Sequence, residues 1–290
     1  MALTPARPFA AAALAVAAGL ILTACGGSSA TSTTVSASAV DGGTLPAHVH
    51  NLAYNGDTLL FGTHEGLWEQ APGQAPKAVS AEAFDVMGFT QNGDRWLASG
   101  HPAAGSTAPG DLGLLESIDE GVTWSPVALS GEVDFHRLVA AGDQLFGINS
   151  ADNALLRSDD GGRSWTSAGA VPLFDLAVAP DNPDTLMGTT ADGPVISTDA
   201  GTTFEAAPAP ALIAFLAWTP RALVGVAADG QVLESTDRGA NWQTKGQVAG
   251  PPAAVAADGS RVAVLSGGVV YESSDNGATF TQRVTGITGH

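Results

Sequence analysis

The chain has 290 residues, with 29 acidic side chains against 11 basic ones and a net charge of −18. Nothing in it offers a basic stripe to neutralise phosphates, so nucleic acid is excluded as a partner, and a single cysteine excludes an internal disulfide. The acidity favours solubility and concentrates cations near the surface.

Residues 1–24 carry one arginine, no acid, and an apolar stretch from Phe9 to Leu22. That stretch is short for a membrane span and has the shape of a signal peptide. It ends Leu22-Thr23-Ala24-Cys25-Gly26, which resembles a bacterial lipobox, so Cys25 is expected to be lipidated and to become the mature N-terminus. The alternative is an ordinary secreted protein with a cysteine close to its cleavage site. Several acyl chains would anchor the chain stably to a membrane. Residues 25–45 would form a flexible tether rich in Ser, Thr, Gly and Ala. The protein is therefore expected outside the cytoplasmic membrane, held to it by lipid, with 10 basic and 29 acidic side chains after removal of Arg7, net −19.

From residue 46 onward, a strand followed by a Gly/Asp turn and a second strand recurs six times, at HVHNLAYNGDTLLFGTH, FDVMGFTQNGDRWLASGH, DFHRLVAAGDQLFGINS, LFDLAVAPDNPDTLMGTT, AFLAWTPRALVGVAA and AAVAADGSRVAVLSG. After five of these stands one phrase, Ser-x-Asp-x-Gly-x-(Thr/Ser/Asn)-(Trp/Phe), at Ser117–Trp124, Ser158–Trp165, Ser197–Phe204, Ser235–Trp242 and Ser273–Phe280. Its aspartates, Asp119, Asp160, Asp199, Asp237 and Asp275, are 41, 39, 38 and 38 residues apart. A period near 40 is that of a four-stranded propeller blade. The expected fold is all-β, a six-bladed propeller over 46–290, with the first blade lacking the phrase and carrying Pro72-Gly73 instead. Each phrase reads as a hairpin turn: Asp accepts hydrogen bonds from turn amides, Gly supplies positive φ, and the aromatic residue packs beneath. The five aspartates are thus expected to be structural.

Departures from the repeat are the candidates for function. Five of the six histidines, His48, His50, His64, His101 and His136, lie in the first three blades. Aligning inner strands on Leu52, Met87, Leu138, Leu176, Leu216 and Val255 puts His50, Asp85 and His136 at one equivalent position, with Phe174, Ala214 and Ala253 there in the other blades. On a strand, His48 and His50 would share a face, about 6.6 Å apart. Inner-strand starts and second-strand ends share the face opposite the repeated phrase, so all six side chains are expected to gather there near the axis. The loop after His101, PAAGSTAPGD, would partly cover them. Imidazoles with a carboxylate suit Zn²⁺ or Cu²⁺; the other reading is a structural cap on the channel mouth.

The phrases HVHNLA, GTHEGLW, LASGHP and GEVDFHRL, together with the five boxes, resemble BNR/Asp-box repeat lipoproteins of the bacterial sialidase-like, glycosyl-hydrolase propeller family. More distantly, the repeats are similar to photosystem II assembly-factor-like propellers. The first resemblance implies glycoside hydrolysis. A sialidase needs a tyrosine nucleophile and three arginines around the substrate carboxylate; here the tyrosines are Tyr54 and Tyr271 only, Arg163 and Arg238 lie inside boxes, and HVHNLAY stands where the Arg-Ile-Pro motif would be. Sialidase activity is not expected. A neutral-sugar hydrolase would draw on Glu65, Asp85, Asp111, Glu132 or Asp134. The reading that follows is a monomeric lipoprotein that binds a metal or small ligand at a His-rich mouth. The alternatives are a sialidase-like glycosidase acting on a glycan, or an envelope scaffold binding another protein.

Overall fold

A computed structural model describes residues 44–80, 83–168 and 171–288. The expected signal segment, Cys25 and most of the tether lie outside the described residues. Six four-stranded antiparallel sheets follow one another along the chain, each ordered A-B-C-D in sequence, as an all-β six-bladed propeller. The inner A strands are Val49–Asn55, Phe84–Asn92, Phe135–Ala141, Asp175–Ala179, Ile213–Trp218 and Pro252–Asp258. The second strands are nearly continuous apolar runs, such as Leu59-Leu60-Phe61 and Val262-Ala263-Val264-Leu265, because each is covered on both faces by neighbouring blades.

The repeated phrase forms the turn between strands C and D. In the third blade, the Ser158 hydroxyl donates to Asp160 (2.8 Å) and accepts from the Gly162 amide (2.9 Å). Asp160 also accepts from the Ser164 amide (2.9 Å) and the Ser164 hydroxyl (2.6 Å). The same pattern recurs at the other four copies, with the Asn241 side-chain amide in place of the hydroxyl in the fifth blade. Two consecutive residues are left-handed, not only the glycine: Glu120, Ala200, Arg238 and Asn276 have φ of 55–62° before glycines at 79–85°. The glycines meet a second constraint. A Cβ on Gly162 would lie 2.3 Å from Leu114 of the preceding blade, and one on Gly239 2.3 Å from Met187 of the preceding blade. The turn is therefore a blade-to-blade contact as well as a hairpin. It also ties its own blade together, since the amides of Gly161, Ala200 and Asn276 donate to carbonyls of the A–B turns at Asp143, Asp184 and Ser260. Box turns and A–B turns thus share one face.

Each sheet is complete in itself, so the ring closes without a shared strand. Blades six and one meet through an apolar cluster containing Leu45, Val49, Phe61, Leu265, Val284 and Ile287, and through a hydrogen bond from the His48 amide to Thr288 (3.0 Å). On the box face of this seam, Gln70 occupies the strand position held elsewhere by the box serine: it pairs with Leu59 as Ser158 pairs with Leu145. Its side-chain oxygen and carbonyl accept from Arg283 of blade six (2.7 and 2.8 Å), which also donates to Asp57 and pairs with Glu272. The Tyr54 hydroxyl donates to Glu272 (2.9 Å). Burial, then the Glu272 charge, pushes that phenol well above its usual range.

Two outcomes follow. Arg283→Leu should cost about 2–4 kcal/mol in urea unfolding, because Arg283 is 7 % exposed and its loss strands Glu272 and Gln70, whereas Arg238→Ala at an exposed pair should cost under about 0.5 kcal/mol. Hydrogen bonds from the turn hold all five box aspartates below the ordinary 3.8, Asp160 and Asp275 at about 2. A folded value below the unfolded one stabilises above the unfolded pKa and is lost as pH falls through the folded one. Thermal unfolding followed by circular dichroism should therefore lose stability chiefly between pH 4 and 2, and Asp160→Asn with Asp275→Asn should flatten that descent.

Candidate functional site

The face opposite the boxes carries the starts of the A strands and the turns after the B strands. In five of the blades the A strand bulges there by one residue, and the bulged residues are His50, Met87, His136, Ala214 and Ala253. This register corrects the sequence alignment in the second blade. Phe89, not Met87, pairs like Leu52 and Leu138, so Met87 is the counterpart of His50 and His136. Asp85 lies two residues before that position, as His48 and Asp134 do in their own blades. The fourth blade has no bulge there, and Phe174 is 61 % exposed.

The histidines and carboxylates fall into two groups between neighbouring blades. Between blades one and two, His50 Nε2 is 3.5 Å from Asp85 Oδ1, and His64 Nε2 is 3.7 Å from Asp85 Oδ2. His48 is not on the strand, which begins at Val49; its φ is 60°, in the left-handed region. The expected two-residue strand spacing between His48 and His50 therefore does not apply. Instead the two rings bracket His64, stacked on it with centroids 4.6 and 4.7 Å away.

Between blades two and three, His136 Nε2 lies 2.8 Å and His101 Nε2 3.3 Å from Asp134 Oδ2, which also accepts from Ser150 (2.9 Å). The other ring nitrogen of His101 is 2.9 Å from the Gly110 carbonyl, so the end of the loop after His101 returns to that ring. Burial works to lower His101, but the Gly110 carbonyl and the carboxylates of Asp134, Asp85 and Asp111 raise it above its ordinary value. Burial likewise opposes the Asp134 carboxylate, yet His136, Ser150 and His101 hold it below the usual range. Asp134 was considered in the sequence only as a catalytic carboxylate. Its place two residues before a bulged histidine is the signal that would have joined it to the cluster.

Three atoms here are buried without a hydrogen-bond partner: His50 Nε2, Asp85 Oδ1 and Asp134 Oδ1. Burying such atoms without a hydrogen bond is costly, and their lone pairs are those a cation would satisfy. A tetrahedral ion bound at the usual 2.0–2.1 Å holds its ligands roughly 3.3 Å apart, close to the His50–Asp85 and His64–Asp85 separations. The donor set therefore fits a transition metal. Asp134, ionised and engaged by three partners, does not suit the proton-donating role in glycoside hydrolysis. Glu65 and Glu132 are exposed and Asp111 is 43 % exposed beside His101. Tyr54, the one tyrosine on an inner strand, is 8 % exposed and bound to Glu272 at the blade seam.

Behind the site runs the axial channel, about 570 Å³, lined by all six A strands. Arg137 pairs there with the buried Asp175 (2.9 Å), which also accepts from the Leu216 amide (2.7 Å) and so links blades three, four and five. Burial raises Asp175, against the pull of Arg137 and the amides.

No family model and no curated protein matches the chain. Solved structures do resemble it as folds. YCF48 bound to a D1 peptide is 18 % identical with a TM-score of 0.53, over 85 % of this chain and 86 % of that one. A propeller in a nidogen/laminin complex is 12 % identical with a TM-score of 0.56, over 74 % and 88 %. The GH74 xyloglucanase of Xanthomonas campestris is 16 % identical with a TM-score of 0.53, over 81 % of this chain and 45 % of the enzyme. At these identities the likeness is one of propeller fold alone.

Proposed function

We propose that this chain is an extracytoplasmic lipoprotein, anchored through Cys25, whose propeller binds a transition-metal ion at the mouth formed by its first blades. His50, His64 and Asp85 would hold the ion, and His48 would position His64 by stacking on it. The observation that carries this reading is the pair of buried atoms His50 Nε2 and Asp85 Oδ1, 3.5 Å apart and neither hydrogen-bonded. Imidazole nitrogen and carboxylate oxygen are donors for Zn²⁺ and Cu²⁺ alike, and the net negative chain raises the local concentration of cations. The carboxylate-bound His101 and His136 would add a second set of donors beside the first. The site presents ligands rather than a proton donor, so binding, not hydrolysis, is its chemistry.

The purified, untagged chain, loaded with Zn²⁺ or Cu²⁺ and dialysed, should retain about one tightly held ion. Changing His50→Ala or Asp85→Ala should weaken retention at least about tenfold, while Asp160→Asn on the opposite face should leave it unchanged. Retention of no ion by the unaltered chain would refute the reading.

A further inference from the structure

The bulged positions of three successive blades hold an imidazole, a thioether and an imidazole: His50, Met87 and His136. These three residues line one cavity at the channel mouth, about 240 Å³, together with Val49, Arg137 and Ala253. A bulge re-aims its residue out of the strand's alternation, and the three bulged residues border one cavity. The corresponding residues of the fifth and sixth blades, Ala214 and Ala253, are too small to fill it. Met87 is not used as a core residue. It is half-buried at the mouth, whereas Met187 is completely buried in an apolar cluster between blades four and five. His50 also borders the carboxylate group, 3.5 Å from Asp85, and its Nε2 makes no hydrogen bond.

A thioether is a soft donor that adds little to Zn²⁺ binding but selects cuprous copper, and imidazole binds both metals. We infer that the metal of this site is copper, and that Met87 supplies a sulfur ligand to Cu⁺ alongside His50 and His136. The inference rests on the proposed metal site and deepens it by naming the ion. Zn²⁺ or Cu²⁺ would draw on His50 with His64 and Asp85, and Cu⁺ on His50 with Met87 and His136. His50 serves both arrangements, so the hard and soft sides of the mouth need not both be filled at once.

The test is anaerobic competition of the full chain for Cu⁺ against a chromophoric chelator, and for Zn²⁺ against a second chelator, in the unaltered protein, Met87→Leu and His50→Ala. Leucine conserves volume and removes only the sulfur. The expected result is a Cu⁺ affinity lowered about tenfold or more in Met87→Leu with Zn²⁺ affinity within about twofold, and both lowered in His50→Ala. Copper X-ray absorption should show a sulfur neighbour that Met87→Leu abolishes. Equal Cu⁺ affinities in Met87→Leu and the unaltered chain, with His50→Ala still weakened, would overturn the copper assignment and leave the metal site standing. Binding of neither ion by the unaltered chain would overturn both.

Discussion

The close approach of each box glycine to the blade before it is the contact on which the ring depends. Turn geometry alone would accept asparagine or aspartate in a left-handed position. Packing adds a second demand: a Cβ on Gly121, Gly162, Gly239 or Gly277 would come within 2.3–2.8 Å of a side-chain atom of Leu67, Leu114, Met187 or Val232, and one on Gly201 within 3.0 Å of Leu155, so each of those side chains would have to shift. The serine and aspartate hold the turn in shape from within, and the glycine lets the neighbouring blade press against it. A single eight-residue phrase therefore sets the hairpin, the face it lies on and the spacing between blades.

Where the phrase is missing, another interaction has to replace it. Blade one has Gln70 at the serine position, and Arg283 from blade six reaches it across the seam. The substitution turns a local turn bond into a long-range one, between residues at opposite ends of the propeller sequence. Because no strand is exchanged, the seam relies on this polar cluster, the Tyr54–Glu272 bond and the apolar contacts of Leu45 and Ile287. The arginines near Tyr54 are thereby explained as closure. Their partners are Glu272, Gln70 and the Asp57 and Asp258 carboxylates, all on the box face.

Much of this was readable from residues alone, because a period near 40 and an Asp-Gly turn are local signals. The gathering of His48, His50, His64, Asp85, His101 and His136 on the opposite face was readable too, since strand direction alone decides which end of a strand meets which face. The finer grouping was not. A one-residue bulge changes which residue points inward, and nothing in FDVMGFT marks Met87 rather than Asp85 as the bulged position. The apolar anchor that looked equivalent to Leu52 was two residues too early. The sequence alignment therefore leaves Asp134 outside the cluster and places Met87 among the inner-strand anchors. The stacking of three imidazoles was likewise hidden, because it depends on the left-handed backbone at His48.

The bulge explains why ligands can collect at this mouth without disturbing the scaffold. Residues paired within the A strands must fit both the ladder and the neighbouring blade, as Val49, Val86 and Phe135 do, all nearly or fully buried. The bulged residue is released from that pairing and projects into the mouth, where its identity costs the fold little. Blades five and six keep alanine there, while blades one to three carry donor side chains. The same release lets the residue two positions earlier approach its neighbour, so that Asp85 meets His50 and His64 across one blade junction and Asp134 meets His101 across the next. Of the donors of the proposed site, His50 and His136 are at a bulged position, Asp85 and Asp134 lie two residues before one, His64 is in the adjoining B–C turn, and His101 is at the end of strand B, paired with Asp85.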